Sequence, residues 1–575
     1  MRIERHLDAL ARRAIQDALG VEAEPALRPT QDPKHGDYQI NGLLGLKAKL
    51  GKPPREIAAP VAARMLEAAE IAEAEIAGPG FVNLRLSPAF VSQALARDLD
   101  DARTGVPAAE PKERVVVDFS SPNIAKRMHV GHLRSTILGD ALVRILRTAG
   151  HEVIADNHLG DWGTQFGLLI AGMREWGDEA ALDREPIDEL ERVYRLASER
   201  AKTDEAFAEQ ARAELAKLQA GDATNRALWE RFVAATRKSL DAVYATLGVS
   251  FDLWLGESAY HAACAGVVDL LVSKGIARES EGAIGVFFKE LDDAPKDLRA
   301  TKEPFLVRKR DGAFMYATTD VATAFYRRDE LHADRALYVV DMRQALHFKQ
   351  LFAVAKMLGI ETRLEHVAFG SVLGEDGKPL KTRDGKAVTL ESLLDEAATR
   401  ASARIQEEGL DLGPDEAPAV ARAVGIGAVK YADLRQNRAS DYTFDWDKMI
   451  SFKGNAGPYL QYAYARIRSI LRKAEVDMDA VRGAPALDTP AADALCRVLL
   501  RYGEVVHAAA EASLPHLLCD HLYAVARGFS AFYEQCHVLR AEGDERTARL
   551  ATCALAGRQL RDGLTMLGID VIERM

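Results

Sequence analysis

Val115, Val116 and Val117 form a short run of β-branched residues, the pattern of a strand buried on both faces of a parallel sheet. A polar loop follows through Pro122 and Asn123, and near His129 the period changes. Leu133, Ile137, Leu138, Ala141, Leu142, Ile145 and Leu146 recur at helical spacing, and Gly150 is placed to end that helix. A second apolar-leaning segment, EVIADNHLGDWG from Glu152, comes next. The pattern predicts a strand–loop–helix–strand unit whose polar residues gather where the first strand ends. Open α/β sheets bind ligands there.

The remainder of the chain divides around this unit. Residues 1–98 read as a small α+β domain, with AEIAGPGFVNLRL as a hairpin turn and strand. Phe81 sits at its Gly-Pro-Gly turn, where an aromatic ring is either exposed or folded back onto its own core. Residues 99–440 read as an α/β domain. Within it, 171–250 is helical and strongly charged, as a solvated helical hairpin inserted into a larger domain would be. Strand-like runs (AIGVFF, FLVRK, FMYATTD, ALYVV) return over 284–340, so the α/β pattern resumes. Helical patterns dominate from about 415, which predicts an all-helical domain over 441–575. There is no internal repeat or low-complexity tract.

Composition adds little but excludes much. The chain of 575 residues is 48% hydrophobic and 28% charged, as in globular proteins with ample core. No apolar run is long enough to span a bilayer. The first twenty residues mix both charge signs on an amphipathic helix, unlike a secretory signal. Cys264, Cys496, Cys519, Cys536 and Cys553 are scattered without a C-x-x-C pair, which speaks against zinc and disulfides and for a reducing cytoplasm. The formal net charge of -11 disfavours nucleic acid, yet residues 451–575 balance 15 Lys+Arg against 15 Asp+Glu. The C-terminal part is thus relatively basic.

The chemistry at the strand end suits a nucleotide. A helix N-terminus attracts phosphate, and His129 and His132 share one face of its first turn. Gly131 between them leaves room for a base or ribose. Lys126 adds a point charge just before the helix. Either histidine alone is most simply a helix cap; the pair with Lys126, Asn123 and Asp118 in one loop is a site. Further segments bring polar residues to other strand ends. These are Glu257, then Tyr316 and Asp320 four apart, then Gln344 and His347, and a Gly- and Lys-rich loop with Lys378, Lys381, Arg383 and Lys386. Taken singly, Asp320 is an N-cap, Gln344 a surface residue and the lysine loop a solvated turn, yet a mobile basic Gly-rich loop is what a released polyphosphate needs.

In order, PNIAKRMHVGH, GAFMYATTD, VVDMRQALHFKQ and LKTRDGK strongly resemble the class I aminoacyl-tRNA synthetases, specifically the arginine family. HVGH stands where that class has His-Ile-Gly-His. GNAGPYLQYAYARIRSI and the ending LGIDVIERM resemble the family's helical anticodon-binding domain; GDYQINGLLGLKAKLGKPPREIA with GPGFVNL resembles its N-terminal tRNA-binding module. The resemblance implies a Rossmann-like, doubly wound parallel catalytic sheet with helical insertions between those two domains. One departure is clear: LKTRDGK replaces the class signature Lys-Met-Ser-Lys-Ser, and the family pattern puts the compensating charge on Lys126.

The resemblance also implies partners and roles. L-arginine and ATP with Mg2+ would give arginyl-adenylate, and arginine would pass to the terminal ribose of tRNA-Arg, in a monomer without zinc. Lys126, His129 and His132 would be catalytic. Gly131, His347, Lys378 and Lys381 would join the histidines on ATP. Glu257, Asp320 and Tyr316 would hold the guanidinium, and Asp118, Ser121, Pro122, Asn123, His132 and Gln344 the other end of arginine. A guanidinium fork suits planar acids. Phe81 and Asn83 would meet the tRNA elbow, and Tyr442, Phe444, Lys448, Lys453 and Tyr459 the RNA beside the C-terminal domain, while Trp446 and Tyr462 belong to the core. Three rivals stand beside this: a nucleotidyltransferase with an H-x-G-H helix start, which lacks a long helical C-terminal domain; a synthetase for another amino acid, in which Glu257 and Asp320 would face an uncharged side chain; and a tRNA-binding relative without catalysis.

Overall fold

The computed structural model describes residues 2–30, 32–374, 376–378, 380, 388–410 and 412–574. At the N-terminus, the helix Ile3–Leu19 buries Ile3, Leu7, Ala11, Ala14 and Ile15 along one stripe. It and the helix Pro54–Met65 accompany an antiparallel sheet whose strands lie in the order Leu27–Pro29, Tyr38–Ile40, Phe81–Leu86, Ile71–Ala77. Val82, Leu84 and Leu86 alternate into its core. Ile71–Ala77 and Phe81–Leu86 form the expected hairpin. The module docks on the C-terminal helices, where the Tyr38 hydroxyl donates to Glu504 at 3.1 Å and Arg497 pairs with Asp37.

The central sheet has four parallel strands: β1 (Arg114–Asp118), β2 (Glu152–Asp156), β3 (Arg335–Tyr338) and β4 (Arg363–His366), in the order β4-β3-β1-β2. Val115, Val116 and Val117 are wholly buried because β1 is interior and covered on both faces. Helix α1 (Val130–Ala149) links β1 to β2, and Gly150 at φ 100° ends it by turning its N–H back on the last turn. The chain later returns to β3 on the opposite side of β1. The strand order therefore reverses between β1 and β3, which opens a crevice at Asp118 and Tyr338.

Within α1, Gly139 lies against Phe119, the first residue after β1; a Cβ there would stand 2.1 Å from the ring. Gly139→Ala gains helix propensity of about 1 kcal/mol but forces that ring aside, so we expect a net loss of about 1–2 kcal/mol, read by urea unfolding. A rise in stability would show that Phe119 has room to move.

Three regions differ from the sequence pattern. Arg278–Ser280, Ala283–Val286 and Phe305–Arg308 form a separate antiparallel sheet instead of joining the parallel one. The turn at Glu281 and Gly282, both with positive φ, closes the hairpin in two residues, whereas a parallel neighbour needs a crossover. FMYATTD is not a strand; it leads into the helix Tyr316–Asp329. Finally, Gln165–Leu247 is five helices, Gln165–Trp176, Glu179–Arg184, Pro186–Thr203, Glu205–Gln219 and Ala223–Leu247, not a hairpin. Leu190, Val193, Leu218 and Phe232 tie them to the main core, and Ala171, Ala197, Phe207 and Ala211 form a small cluster of their own.

Among the described residues eight helices follow, from Leu390–Glu407 to Gly543–Met566, packed on α1 and on the N-terminal module. No helix of the described residues is long and apolar enough to cross a membrane.

Candidate active site

The loop from Phe119 to His129 is strained. Ser120, Ser121 and Ala125 all have positive φ (70°, 46° and 63°), which costs about 1–3 kcal/mol for each such residue. Side chains from other elements hold them. Ser135 Oγ accepts from the Ser120 N–H at 2.9 Å, Asn157 Oδ1 from Ser121 at 3.1 Å, and Thr236 Oγ1 from Ala125 at 3.1 Å. The Ser120 hydroxyl also meets Thr136 and Tyr244 at 2.8 and 2.7 Å. Thr236 and Tyr244 belong to the last insertion helix, so the insertion clamps the loop.

The histidine pair closes the N-terminus of α1. The Gly131 N–H donates to His129 Nδ1 at 3.0 Å, and the His129 N–H donates to His132 Nδ1 at 3.2 Å. Each Nδ1 is thereby an acceptor, so each neutral ring carries its proton on Nε2. Burial lowers the pKa of both rings, and the Lys126 charge adds to this; His132, also repelled by His129, falls to about 4. Two uncharged Nε2–H donors thus stand at a positive helix end. Gly131 also makes room inside the protein: a Cβ there would lie 2.7 Å from the His129 ring.

Beyond β1 and β2 lies a cluster of acids. Arg327, wholly buried, donates from one Nη2 to Asp118 and Asp156 at 2.7 and 2.8 Å, beneath the Tyr338 ring. Asp118 also accepts from the Ser121 hydroxyl at 3.0 Å. This corrects the expectation that Asp118 holds the substrate directly: its carboxylate is already paired inside the protein. Oxygen and nitrogen atoms of Asp118, Asp156 and His158 lie within 4.8 Å of one another, as metal ligands can. The Arg327 guanidinium already supplies their cation, so the set does not fit a metal.

The second pair of acids is different. Asp320, half-buried on the helix Tyr316–Asp329, accepts from His347 Nε2 at 2.6 Å. Tyr316 stands beside that imidazole, ring centroids 4.9 Å apart. His347, which the resemblance placed on ATP, is thereby bonded to one of the acids. Burial raises the Glu257 carboxyl, His158 lowers it, and Asp320 and Asp161 raise it further. Among the described residues no lysine or arginine pairs with Glu257 or Asp320. Buried Nδ1 of His158 and the Tyr338 hydroxyl also lack partners.

On the α1 side a cleft of about 250 Å3 runs from His129, Gly131 and Arg134 to Phe369, Gly370 and Val372. Arg134, buried, stands 3.1 Å from Asp433 and donates to the Ser440 carbonyl. Asn123 is exposed, its carboxamide against Gly160; Pro122 is buried with its carbonyl accepting from the Gly160 N–H; Gln344 is exposed on a turn. Lys378 is exposed on the rim loop, while Lys381, Arg383 and Lys386 lie outside the described residues.

Comparison with known proteins decides between the rivals. The family model for the catalytic domain of class I tRNA synthetases (R) matches residues 91–446, that for the arginyl-tRNA synthetase N-terminal domain 5–86, and that for the DALR anticodon-binding domain 460–575. The arginine–tRNA ligase of Salmonella gallinarum is 45% identical over 561 residues, 96% of each chain. The chain belongs to the arginyl-tRNA synthetases. Solved arginyl-tRNA synthetases from Plasmodium falciparum and Thermus thermophilus superpose with TM-scores of 0.84 and 0.82 at 26% and 27% identity. The alignments cover all of this chain and 99% and 100% of theirs.

The synthetase corrects several expected RNA contacts. Tyr442 and Phe444 are buried, Tyr442 serving as a platform for Arg134 at 5.2 Å, so neither offers a face to a base. Asn83 is buried too and accepts from the Gln39 amide at 2.6 Å. Phe81 is half-exposed at the hairpin turn, beside a groove lined by Lys47, Lys52 and Pro54. Lys448 and Lys453 are exposed, Lys448 paired with Asp445 at 2.8 Å; Tyr459 is half-buried against Tyr523 and Ser530. Trp446, expected in the core, lies half-exposed under Arg400.

Asp156, Asn157 and His158 were missed although they end β2 as Asp118 ends β1; the same strand-end argument finds them. Arg327, Thr236 and Tyr244 carry no local signal, being brought in by tertiary packing.

Proposed function

We propose that this arginine–tRNA ligase divides its work along the α1 loop. ATP, carrying Mg2+ on its phosphates, occupies the cleft from His129 to Gly370. L-arginine lies toward Glu257 and Asp320. The observation that carries this is the contrast between the two pairs of acids: Asp118 and Asp156 share the Arg327 guanidinium, while among the described residues Glu257 and Asp320 pair with no lysine or arginine, Asp320 being met only by the His347 imidazole. A half-buried pair of acids without a guanidinium or ammonium favours a cationic side chain, and two planar carboxylates suit a guanidinium fork.

In the first step a carboxylate oxygen of arginine attacks the α-phosphorus in line, the bond to the β-phosphate bridging oxygen breaks, and pyrophosphate leaves. The protein supplies position and charge. His129 and His132 donate Nε2–H bonds to the phosphate oxygens as negative charge shifts, and Lys126 supplies the positive charge that neutral imidazoles lack. Asn123, Ser121 and Gln344 meet the amino and carboxylate end, with Asp118 acting through Ser121. In the second step a hydroxyl of the terminal tRNA ribose attacks the arginyl carbonyl and AMP departs. The tRNA elbow stacks on Phe81 beside the lysine groove, and the C-terminal helices, which carry none of the chain's acidic excess, take the anticodon end. A monomer in a reducing cytoplasm completes the reading, supported by five buried, unpaired cysteines.

One experiment with two arms tests this. Arginine-dependent ATP–pyrophosphate exchange, run with and without tRNA-Arg, should stop on chelation of Mg2+ and should not proceed with citrulline, the neutral isostere. In the tRNA arm, Phe81→Ala should weaken tRNA binding by about 5- to 100-fold, the worth of one stacked base. Exchange with citrulline would remove the acid pair from the specificity pocket, and unchanged tRNA affinity would free Phe81 from its role.

A further inference from the structure

The charged helix Pro186–Thr203 has the composition of a solvated surface element, yet one stripe of it faces the catalytic loop. Asp188, Glu191 and Tyr194, at i, i+3 and i+6, meet two consecutive loop residues. Arg127 is gripped by its neighbours: its N–H donates to Glu191 at 2.7 Å, its guanidinium bonds Asp188, and Glu391 stands 3.7 Å away from the other side. Lys126, next in the chain, is held differently. Its ammonium lies over the Tyr194 ring, 5.0 Å from the centroid. No carboxylate of the described residues is within ion-pair distance of it, although two lie one residue away. Those two are occupied by Arg127.

This is a sorting of charges with a chemical consequence. A carboxylate would hold Lys126 firmly but cancel the charge that a polyphosphate needs. An aromatic face holds an ammonium through the ring quadrupole and leaves its net charge intact. The Lys126 charge indeed reaches both histidines, where it contributes to keeping them neutral.

We propose that Tyr194 is a positioning residue for Lys126, a neutral holder that keeps its ammonium beside the histidine pair without quenching it, and that the helix Pro186–Thr203 is thereby part of the active site. The proposal rests on the role given to Lys126 above. Adenylate formation then depends on a ring at position 194, not on its hydroxyl.

The test is a double-mutant cycle on the full-length enzyme, read by ATP–pyrophosphate exchange with tRNA-Arg present. Tyr194→Leu should lower kcat by about 3- to 30-fold, the range for losing one cation–π contact, with the arginine KM unmoved. Tyr194→Phe should bring the rate back to within about twofold. Tyr194→Glu should fall at least as far as Leu, because it captures the ammonium as an ion pair. In a Lys126→Met background, Tyr194→Leu should cost nothing more. If the Leu effect is equal in both backgrounds, or if Phe is as slow as Leu, Tyr194 does not act through Lys126 and the proposal falls. If Lys126→Met alone leaves exchange unchanged, the assignment of Lys126 falls first and takes this one with it. Unfolding midpoints of the Leu and Phe variants within a degree of each other separate both results from a packing defect.

Discussion

His132→Asn should give a folded enzyme whose ATP–pyrophosphate exchange is slower by about 10²–10³-fold, the loss for one preorganised donor at a developing charge, with little change in KM for ATP. The geometry separates two tasks of this ring. Nδ1 accepts from the His129 N–H and belongs to the cap, which leaves Nε2–H for the phosphate role proposed above. The asparagine side chain reproduces an acceptor at the Nδ1 position and nothing at Nε2. His132→Gln does the reverse, placing an amide N–H near Nε2 while surrendering the cap. We therefore expect Gln to retain more rate than Asn at lower stability, by about 1 kcal/mol. Equal rates for the two variants would show that only the cap matters.

The same ring makes a prediction with pH. Its pKa drops from 6.5 to about 4, chiefly by burial. Exchange should show no step near pH 6.5 from this residue, because the imidazole works in its neutral form. Stability behaves otherwise. Between pH 6.5 and about 4 the unfolded chain takes up a proton here that the folded chain excludes, so the contribution of His132 to stability falls as the solution is acidified.

How much of this was legible in the sequence follows from the range of the interactions involved. The β1–α1 unit was readable because period, cap and terminator are all local: three valines, a helical stripe and Gly150. The placement of the histidine pair at the helix start was readable for the same reason, as its capping bonds are set within four residues. The strain at Ser120, Ser121 and Ala125 was not, since no glycine marks it and its compensation comes from Thr236 and Tyr244, over a hundred residues away. Tyr442 and Phe444 alternate with polar residues, but Tyr442 pairs with Val372, the Phe444 N–H donates to the Leu373 carbonyl, and the two rings fill space beside Arg134 and Trp446. FMYATTD has strand-like composition, and its helix is decided by packing: Met315 closes on Val307 and the chain turns. Asp118 was placed correctly at the strand end and given the wrong partner. Only the fold brings Arg327 beneath it.

Asp320→Asn should raise the arginine KM steeply, and Glu257 should decide how that KM depends on pH. Truncating one partner of a buried charge pair costs about 2–5 kcal/mol; Asp320 is only half-buried, which places it at the lower end, about 30-fold in KM. The larger signature is in its neighbour. Burial and the nearby Asp320 and Asp161 charges raise the Glu257 pKa above the ordinary glutamate range. Arginine needs the ionised form, so the KM should climb as pH falls through that raised value, earlier than for an exposed carboxylate. Asp320→Asn removes one of the charges that raise Glu257, so it should shift this acid limb to lower pH even as it weakens binding overall. Glu257→Gln should abolish the limb and leave a high, nearly flat KM. The two carboxylates are thus coupled through the same bound cation and through each other. A measured arginine KM that is unaltered in Asp320→Asn, with the acid limb in place, would put the guanidinium elsewhere in the pocket, against Asp156 and His158.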